Sequence, residues 1–300
     1  MNKPDLIPLT KRIHIVNTPT NGKFPFGFSF LVLGDDVRAL IDTGCGPEAC
    51  NAVMEEYGID VVVNSHCHPD HISCNHLFQG RELWVPEERK DEVGTLERLS
   101  MRLMGPDPEL PAFWRRWVGG FLGLSDYEPT GSFRDGDVLD FGGVRLAAIH
   151  TPGHLDDHYC FLEPVENILF SFDVDLTGIG PFYGNPEADI DRFKASIHRI
   201  MDMAPRVVAS SHRLPVSENL REELASYMAK FDRNEERVAK VLDAPRTLEE
   251  IVEQKPIFGK YLPDMERIYA FFEGHMVKKH LECMEKEGRV EKTDGRYCLA

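Results

Sequence analysis

Apolar and polar positions alternate in short runs over much of the first half of the chain. RIHIV (12–16), FSFLVLG (28–34) and DVRALID (36–42) predict strands, with Gly34-Asp35-Asp36 as the turn between the last two. PEACNAVMEEYG (47–58) switches to helical spacing and ends at Gly58, a residue suited to a left-handed C-cap. IDVVVN (59–64) is an unbroken apolar run, as expected of a strand buried on both faces. Strands resume at DVLDFGGVRLAAIH (137–150), a hairpin around Gly142-Gly143, and continue in HYCFLE (158–163), NILFSFDV (167–174) and RVVASSH (206–212). ADIDRFKASIHRIMDM (188–203) predicts an amphipathic helix with Ile190, Phe193, Ile197 and Ile200 on one face. Strands and helices in two alternating halves predict a layered α/β sandwich.

Two regions break this rhythm. Residues 86–124 read as two helices separated by Gly105-Pro106 and Pro108, and they carry Met101, Met104, Phe113, Trp114, Trp117 and Phe121. Core packing is the simpler account of these side chains, and a lid or a dimer surface is the sharper one. After Pro215 the pattern is almost entirely helical. Residues 217–244 predict one long helix opened by Ser217. Residues 245–300 read as helix, helix, a third helix over 275–288, a stop at Gly288 and a hairpin with Asp294-Gly295 at its tip. The expected division is therefore a domain over 1–216, containing the insertion 86–124, and a helical linker with a small unit over 217–300.

Composition narrows the class. The 300 residues are 42% hydrophobic and 28% charged, as in ordinary globular proteins. No window approaches 18 uninterrupted apolar residues and the first residues lack a signal-peptide core, so no membrane association and a cytoplasmic location are expected. The seven cysteines are odd in number and scattered, with no C-x-x-C, which argues for reduced thiols. A net charge of −16 disfavours nucleic acid without excluding it.

The chemistry concentrates at VVVNSHCHPDHISCNH (61–76), where four histidines, an aspartate and two cysteines follow the apolar run. Clustered imidazoles and a carboxylate at a strand end are candidates for a divalent metal that takes N and O ligands. His66 and His68, two apart, face the same way on extended backbone, and Pro69 turns Asp70 and His71 towards the same space. His154, Asp173 and His212 also follow predicted strands. His76, Cys67 and Cys74 read as packing residues, and His150 and His158 as neighbours of the site rather than ligands.

Taken together, H-x-H-x-D-H at 66–71, T-P-G-H at 151–154, an aspartate after Phe-Ser at 170–173 and Ser-His at 211–212 resemble the metallo-β-lactamase-fold superfamily, with Asp42 in ALIDTG matching its early supporting aspartate. The resemblance implies a four-layer αββα sandwich with two metals at one edge. His66, His68 and His154 would hold the first metal, Asp70, His71 and His212 the second, and Asp173 would bridge them. Two departures stand out: Phe172 occupies a position usually held by glycine, with Asp175 as a nearby rival carboxylate, and Ser-Ser rather than Pro-Gly precedes His212. Histidine at 68, where flavodiiron relatives carry glutamate, favours two Zn2+, with iron or manganese as alternatives.

The chemistry implied is hydrolysis. A water shared by two cations loses its proton near pH 7, and Asp70 is the candidate to receive that proton. The first expectation is a small-molecule ester or thioester as substrate, of the acyl-CoA or acyl-glutathione type. A metal-dependent phosphodiesterase or ribonuclease, a mononuclear iron sulfur dioxygenase and a non-enzymatic DNA-binding regulator are the alternatives. The last of these comes from the C-terminal residues, which resemble the winged-helix-like module of one branch of the superfamily. Lys278, Lys279, Arg289, Lys292 and Arg296 are its candidate basic patch, yet residues 247–300 hold nine basic against eleven acidic residues, which favours site covering or homodimerisation over DNA reading.

Overall fold

The computed structural model describes residues 3–107 and 109–300; Met1, Asn2 and Pro108, one of the helix breakers named above, lie outside the described residues. A first mixed sheet runs in the order β1 (Leu6–Pro8), β2 (Ile13–Val16), β3 (Ser29–Leu33), β4 (Arg38–Ile41), β5 (Val61–Val63), β6 (Glu82–Pro86) and β7 (Gly131–Phe133). Its first four strands pair antiparallel, β1 with β2 and β3 with β4 through short turns and β2 with β3 through the longer loop 17–28, while β4 to β7 pair parallel. Parallel pairing requires crossovers. These are supplied by α1 (Pro47–Tyr57), by α2 (Pro69–Ile72) and by the insertion helices α3 (Leu96–Met104) and α4 (Glu109–Phe121). The second sheet places β8 (Val138–Asp140), β9 (Arg145–His150), β10 (Tyr159–Glu163), β11 (Ile168–Phe172) and β12 (Val207–Ser210) side by side, antiparallel except for β11 and β12.

Period-two alternation sorts side chains into three layers of core. On β4, Ala39 and Ile41 face the second sheet while Leu40 faces the helices; on β5, Val61 and Val63 face inward and Val62 outward. The inter-sheet layer joins these to Phe30, Phe161 and Phe170. Outside the first sheet, Leu40 and Val62 pack with Val53 of α1, Leu99 and Leu103 of α3, and Trp114 and Val118 of α4. Outside the second, Cys160, Leu169 and Val208 meet Phe193, Ile197 and Ile200 of α5 (Ile190–Met203) and Leu224, Tyr227 and Phe231 of α6 (Leu220–Lys240). The result is the expected αββα sandwich. Within the insertion, Met104 and Trp114 are core residues, Phe113 and Trp117 are partly buried, and Met101 and Phe121 are exposed.

The C-terminal region is helical: α7 (Leu248–Val252) opens with a Thr247–Glu250 capping box, and α8 (Glu266–Lys286) leads into a hairpin of β13 (Val290–Thr293) and β14 (Arg296–Leu299). Asp294 (φ 50°) and Gly295 (φ 77°) form its left-handed turn. Val238, Ile251, Val277, Leu281 and Tyr297 make a small core of their own.

Several local expectations need correction. The third helix expected from residue 275 is the second half of α8, one continuous 21-residue helix. The helix expected from Ser217 begins at Leu220 after Asn219, because Val216 still exchanges backbone hydrogen bonds with Val208 and holds the chain extended. Strands β1, β6 and β7 were not predicted. Each is three to five residues long, and Pro8 and Pro86 hide two of them.

Candidate metal centre

The candidate ligands follow carboxyl ends of strands. Asp42 follows β4, His66 to His71 follow β5, His154 follows β9, Asp173 follows β11 and His212 follows β12. Pro69 starts α2, so Asp70 and His71 sit in its first turn while His68 is still extended. Gly44 permits this close approach, since a Cβ there would lie 1.6 Å from the Asp70 carbonyl oxygen. Gly153 (φ 124°) does the same for the His154 loop, where a Cβ would lie 2.2 Å from the Phe193 nitrogen at the start of α5.

Two groups form. His66, His68, His154 and Asp173 bring one ligand atom each into a common space, and Asp70, His71 and His212 form an adjoining set. Asp173 faces both. Its Oδ2 lies 3.1 Å from His154 Nε2, 3.7 Å from His66 Nε2 and 3.8 Å from His68 Nδ1. Its Oδ1 lies 2.9 Å from His71 Nε2 and 3.3 Å from His212 Nε2. His212 Nε2 is 3.5 Å from Asp70 Oδ2.

The remote nitrogen of every ring has a partner that sets its tautomer. His71 Nδ1 donates to Asp42 Oδ2 (2.7 Å), His154 Nδ1 to the Phe182 carbonyl (2.8 Å) and His212 Nδ1 to the Gly22 carbonyl (2.7 Å). Asn185 gives its amide hydrogen to the Leu103 carbonyl, so its Oδ1 accepts from His68 Nε2 (2.8 Å). Ser65 donates to Asp42, so its hydroxyl oxygen accepts from His66 Nδ1 (3.0 Å). All five histidines therefore turn lone pairs inward. His154 Nε2 and His68 Nδ1 stand 2.8 Å apart, and His71 Nε2 and Asp173 Oδ1 are buried with no hydrogen-bond partner. Facing lone pairs and carboxylates at this range call for positive charge. Without a cation, protons take its place: burial opposes charging, but Asp173 and Asp42 hold His71 well above the usual imidazole range, and Asp173 and Asp70 raise His212 to about 9. Burial likewise works against the Asp173 carboxylate, yet His71, His212 and His154 hold it well below its ordinary value. The donor set fits two divalent cations of N/O preference.

The neighbours sort as follows. His158 is fully buried beside His66 and His154, and its Nε2 accepts from the Asp173 backbone N–H (3.3 Å). His150 stacks on Tyr159, and Cys67 and Cys74 are buried in the core. His76 is outside both ligand groups. Asp175 accepts from Thr177 N and belongs to neither group. Phe172 adopts φ 46°, the left-handed backbone that glycine would take freely, and its ring lies in the inter-sheet core against Phe30 and Phe161. It therefore does not crowd the loop. Tyr183, in the loop that follows Asp173, is fully buried and bonded to His280 and Asn234. Asn185 and the buried Arg102 carry no motif and were not legible in sequence.

Residues 22–221 match the sequence model of the metallo-beta-lactamase superfamily, and the chain belongs to that superfamily. Its two groups of histidine and aspartate ligands are consistent with a dinuclear metal site in that fold. Among curated relatives, an atrochrysone carboxyl ACP thioesterase of Pseudocercospora fijiensis is 24% identical over 241 residues, 80% of this chain and 63% of the relative. A hydroxyacylglutathione hydrolase of Francisella philomiragia is 35% identical over 78 residues, 26% of this chain and 31% of the relative. The chain thus spans less than two thirds of either. Among solved structures, a metallo-beta-lactamase family protein from Thermus thermophilus superposes with a TM-score of 0.73 at 21% identity, covering 98% of this chain and 100% of that one. A beta-lactamase domain protein from Burkholderia ambifaria gives 0.72 at 21%, covering 99% and 94%. These two likenesses establish the fold, C-terminal region included. Among the described residues, no helix is long and apolar enough to cross a membrane.

Proposed function

We propose that the protein is a dinuclear zinc hydrolase acting on a thioester. The observation that carries this is the pair of ligand groups sharing Asp173, one on each carboxylate oxygen. His66, His68 and His154 would hold one ion, Asp70, His71 and His212 the other, and Asp173 both. When bound, two such cations supply a readily deprotonated water and polarise the substrate carbonyl. Asp70, beside His212, is placed to accept the proton at its carboxylate. A thiol of pKa about 8.5 leaves as its anion without needing a proton, so a site built of lone pairs and carboxylates suits a thioester.

Two further points support an acyl substrate. Phe24 (55% exposed), two residues from the carbonyl that holds His212, stacks near Trp117 (6.2 Å), which stacks on Phe121 (5.4 Å). Phe182 lies edge-on to His68 and His154. Apolar rings beside the centre suit an acyl chain better than a phosphodiester. The names of the two curated relatives, both thioester hydrolases, point the same way.

For the C-terminal region we infer a winged-helix-like unit that braces the catalytic domain. The five residues of its candidate basic patch are already engaged: Lys278 with Glu282, Lys279 with the Asn185 carbonyl, Arg289 with Glu235 and Glu287, Arg296 with Glu250, and Lys292 over the Tyr297 ring. Duplex DNA binding that weakens steeply with salt would contradict this bracing role.

The test is hydrolysis of an acyl thioester and of an activated phosphodiester by zinc-loaded protein, with Asp70→Ala alongside. Thioester turnover that falls by about 10²–10⁴-fold in Asp70→Ala is expected. Turnover of the phosphodiester alone would overturn the substrate reading, and turnover unaffected by Asp70→Ala would overturn the role of the site.

A further inference from the structure

The loop 182–187 touches the first ligand group twice. Its Phe182 carbonyl holds His154, and its Asn185 side chain holds His68. The His68 contact is buried, with Asn185 1% exposed, and the His154 contact is partly buried. The loop is in turn gripped by two elements that lie outside the β-sandwich. From the insertion, the Leu103 carbonyl of α3 accepts from Asn185, while Arg102 donates to Glu187 through Nε (2.9 Å) and Nη2 (2.5 Å). From the C-terminal region, Lys279 Nζ of α8 donates to the Asn185 carbonyl (2.9 Å), and the Tyr183 hydroxyl meets His280 Nε2 (2.7 Å).

Arg102 reaches further. Its Nη1 donates to Asp157 Oδ2 (2.9 Å), three residues beyond His154, and to Cys67 Sγ (3.2 Å), which lies between His66 and His68. Glu187 Oε1 accepts from the Asp156 backbone (3.0 Å). One guanidinium, 2% exposed, therefore ties together the loops that bear His66, His68 and His154 and the loop that orients two of them. A buried ion cluster is a poor source of stability, because desolvation offsets its attraction. A fork of fixed donors is well suited to holding loops in register. The direction of an imidazole lone pair is set by what its other nitrogen bonds, so these contacts act on the ligands themselves.

We propose that Asn185 is the positioning residue for His68, and that Arg102 and Lys279 hold its loop in place. The affinity of the first metal-binding group is then governed by the insertion and the C-terminal helix, while the second group is not. This inference rests on the dinuclear reading above.

The experiment compares the full chain with Asn185→Ala, Arg102→Met and Lys279→Met, using His68→Ala as reference. Zinc affinity is read by chelator competition, ligand geometry by the absorption spectrum of the cobalt-loaded protein, and folding by melting of the metal-free forms. The unaltered chain is expected to bind two zinc ions. Asn185→Ala is expected to weaken, by about 10–100-fold, the same ion that His68→Ala removes, and to change the cobalt spectrum. Arg102→Met and Lys279→Met are expected to weaken that ion too, leaving the other unaltered. Unchanged affinities and spectrum would overturn the proposal, as would equal weakening of both ions. Should Arg102→Met fail to fold, Asn185→Ala and Lys279→Met decide the matter. Two ions bound by no variant, nor by the unaltered chain, would instead overturn the dinuclear reading on which the proposal stands.

Discussion

Asp173 presents Oδ2 to three histidines and Oδ1 to two others, so a change there reaches both groups at once. Asp173→Asn keeps the shape but removes the negative charge of the bridge. It is expected to reduce bound zinc below two per chain, measured by elemental analysis. His212 adds a pH dependence. In the metal-free protein burial opposes its charging, but Asp173 and Asp70 raise it to about 9, so zinc must displace a proton at neutral pH. His71, held well above the usual imidazole range by Asp173 and Asp42, gives up a second proton, so affinity for the second ion should fall as pH drops by about tenfold per unit for each proton displaced. Chelator competition at pH 6, 7 and 8 checks this, and an affinity that is flat across that range would contradict it. Asp42 illustrates what a residue-level reading can and cannot supply. Its place in ALIDTG was legible, but its bonds to the Ser65 backbone, the Ser65 hydroxyl and His71 depend on a backbone φ of 59° that no pattern announces.

At the scale of elements, two glycines let neighbouring segments approach the ligands. Gly153→Ala would force a methyl group into the start of α5 and disturb the His154 loop. Loss of the first zinc together with a lower melting temperature is expected, and an unshifted melting curve with both ions bound would refute it. The insertion α3–α4 is not a detachable flap on its inner side, because Trp114 (3% exposed) packs in the same layer as β4 and β5. Trp114→Ala should cost about 3–5 kcal/mol in denaturant unfolding. The long amphipathic elements α1 and α5 were readable because one face repeats every three to four residues and is buried against a sheet. The strands β1, β6 and β7 were not, since three to five residues offer too few alternations to count.

Across the whole molecule, α6 and α8 close the side of the second sheet. Tyr227 donates to the Asp173 carbonyl and Met276 enters the same layer as Phe193. Removing residues 245–300 would strip Ile251, Val277 and Leu281 from Val238 and Leu242, and would take Lys279 and His280 from the loop of Asn185 and Tyr183. The shortened chain is expected to melt lower and to lose the first zinc preferentially. An unchanged melting temperature and two tightly bound ions would show the region to be independent of the site.

What the sequence determined by itself is what local chemistry can carry. The pattern of β4, the unbroken apolar run of β5, the helix predicted over 188–203 and the cluster of His66, His68, Asp70 and His71 each lie within a short stretch of chain, so pattern and spacing reveal them. The order of His154, Asp173 and His212 after their strands was legible for the same reason. Tertiary structure alone decided which nitrogen each histidine turns inward and who holds it. Asn185 lies 117 positions from His68, Glu187 85 from Arg102, and Lys279 94 from Asn185. Contacts at such separations have no period and no spacing, because they arise only when the two sheets stack and the helices from distant parts of the chain close over them.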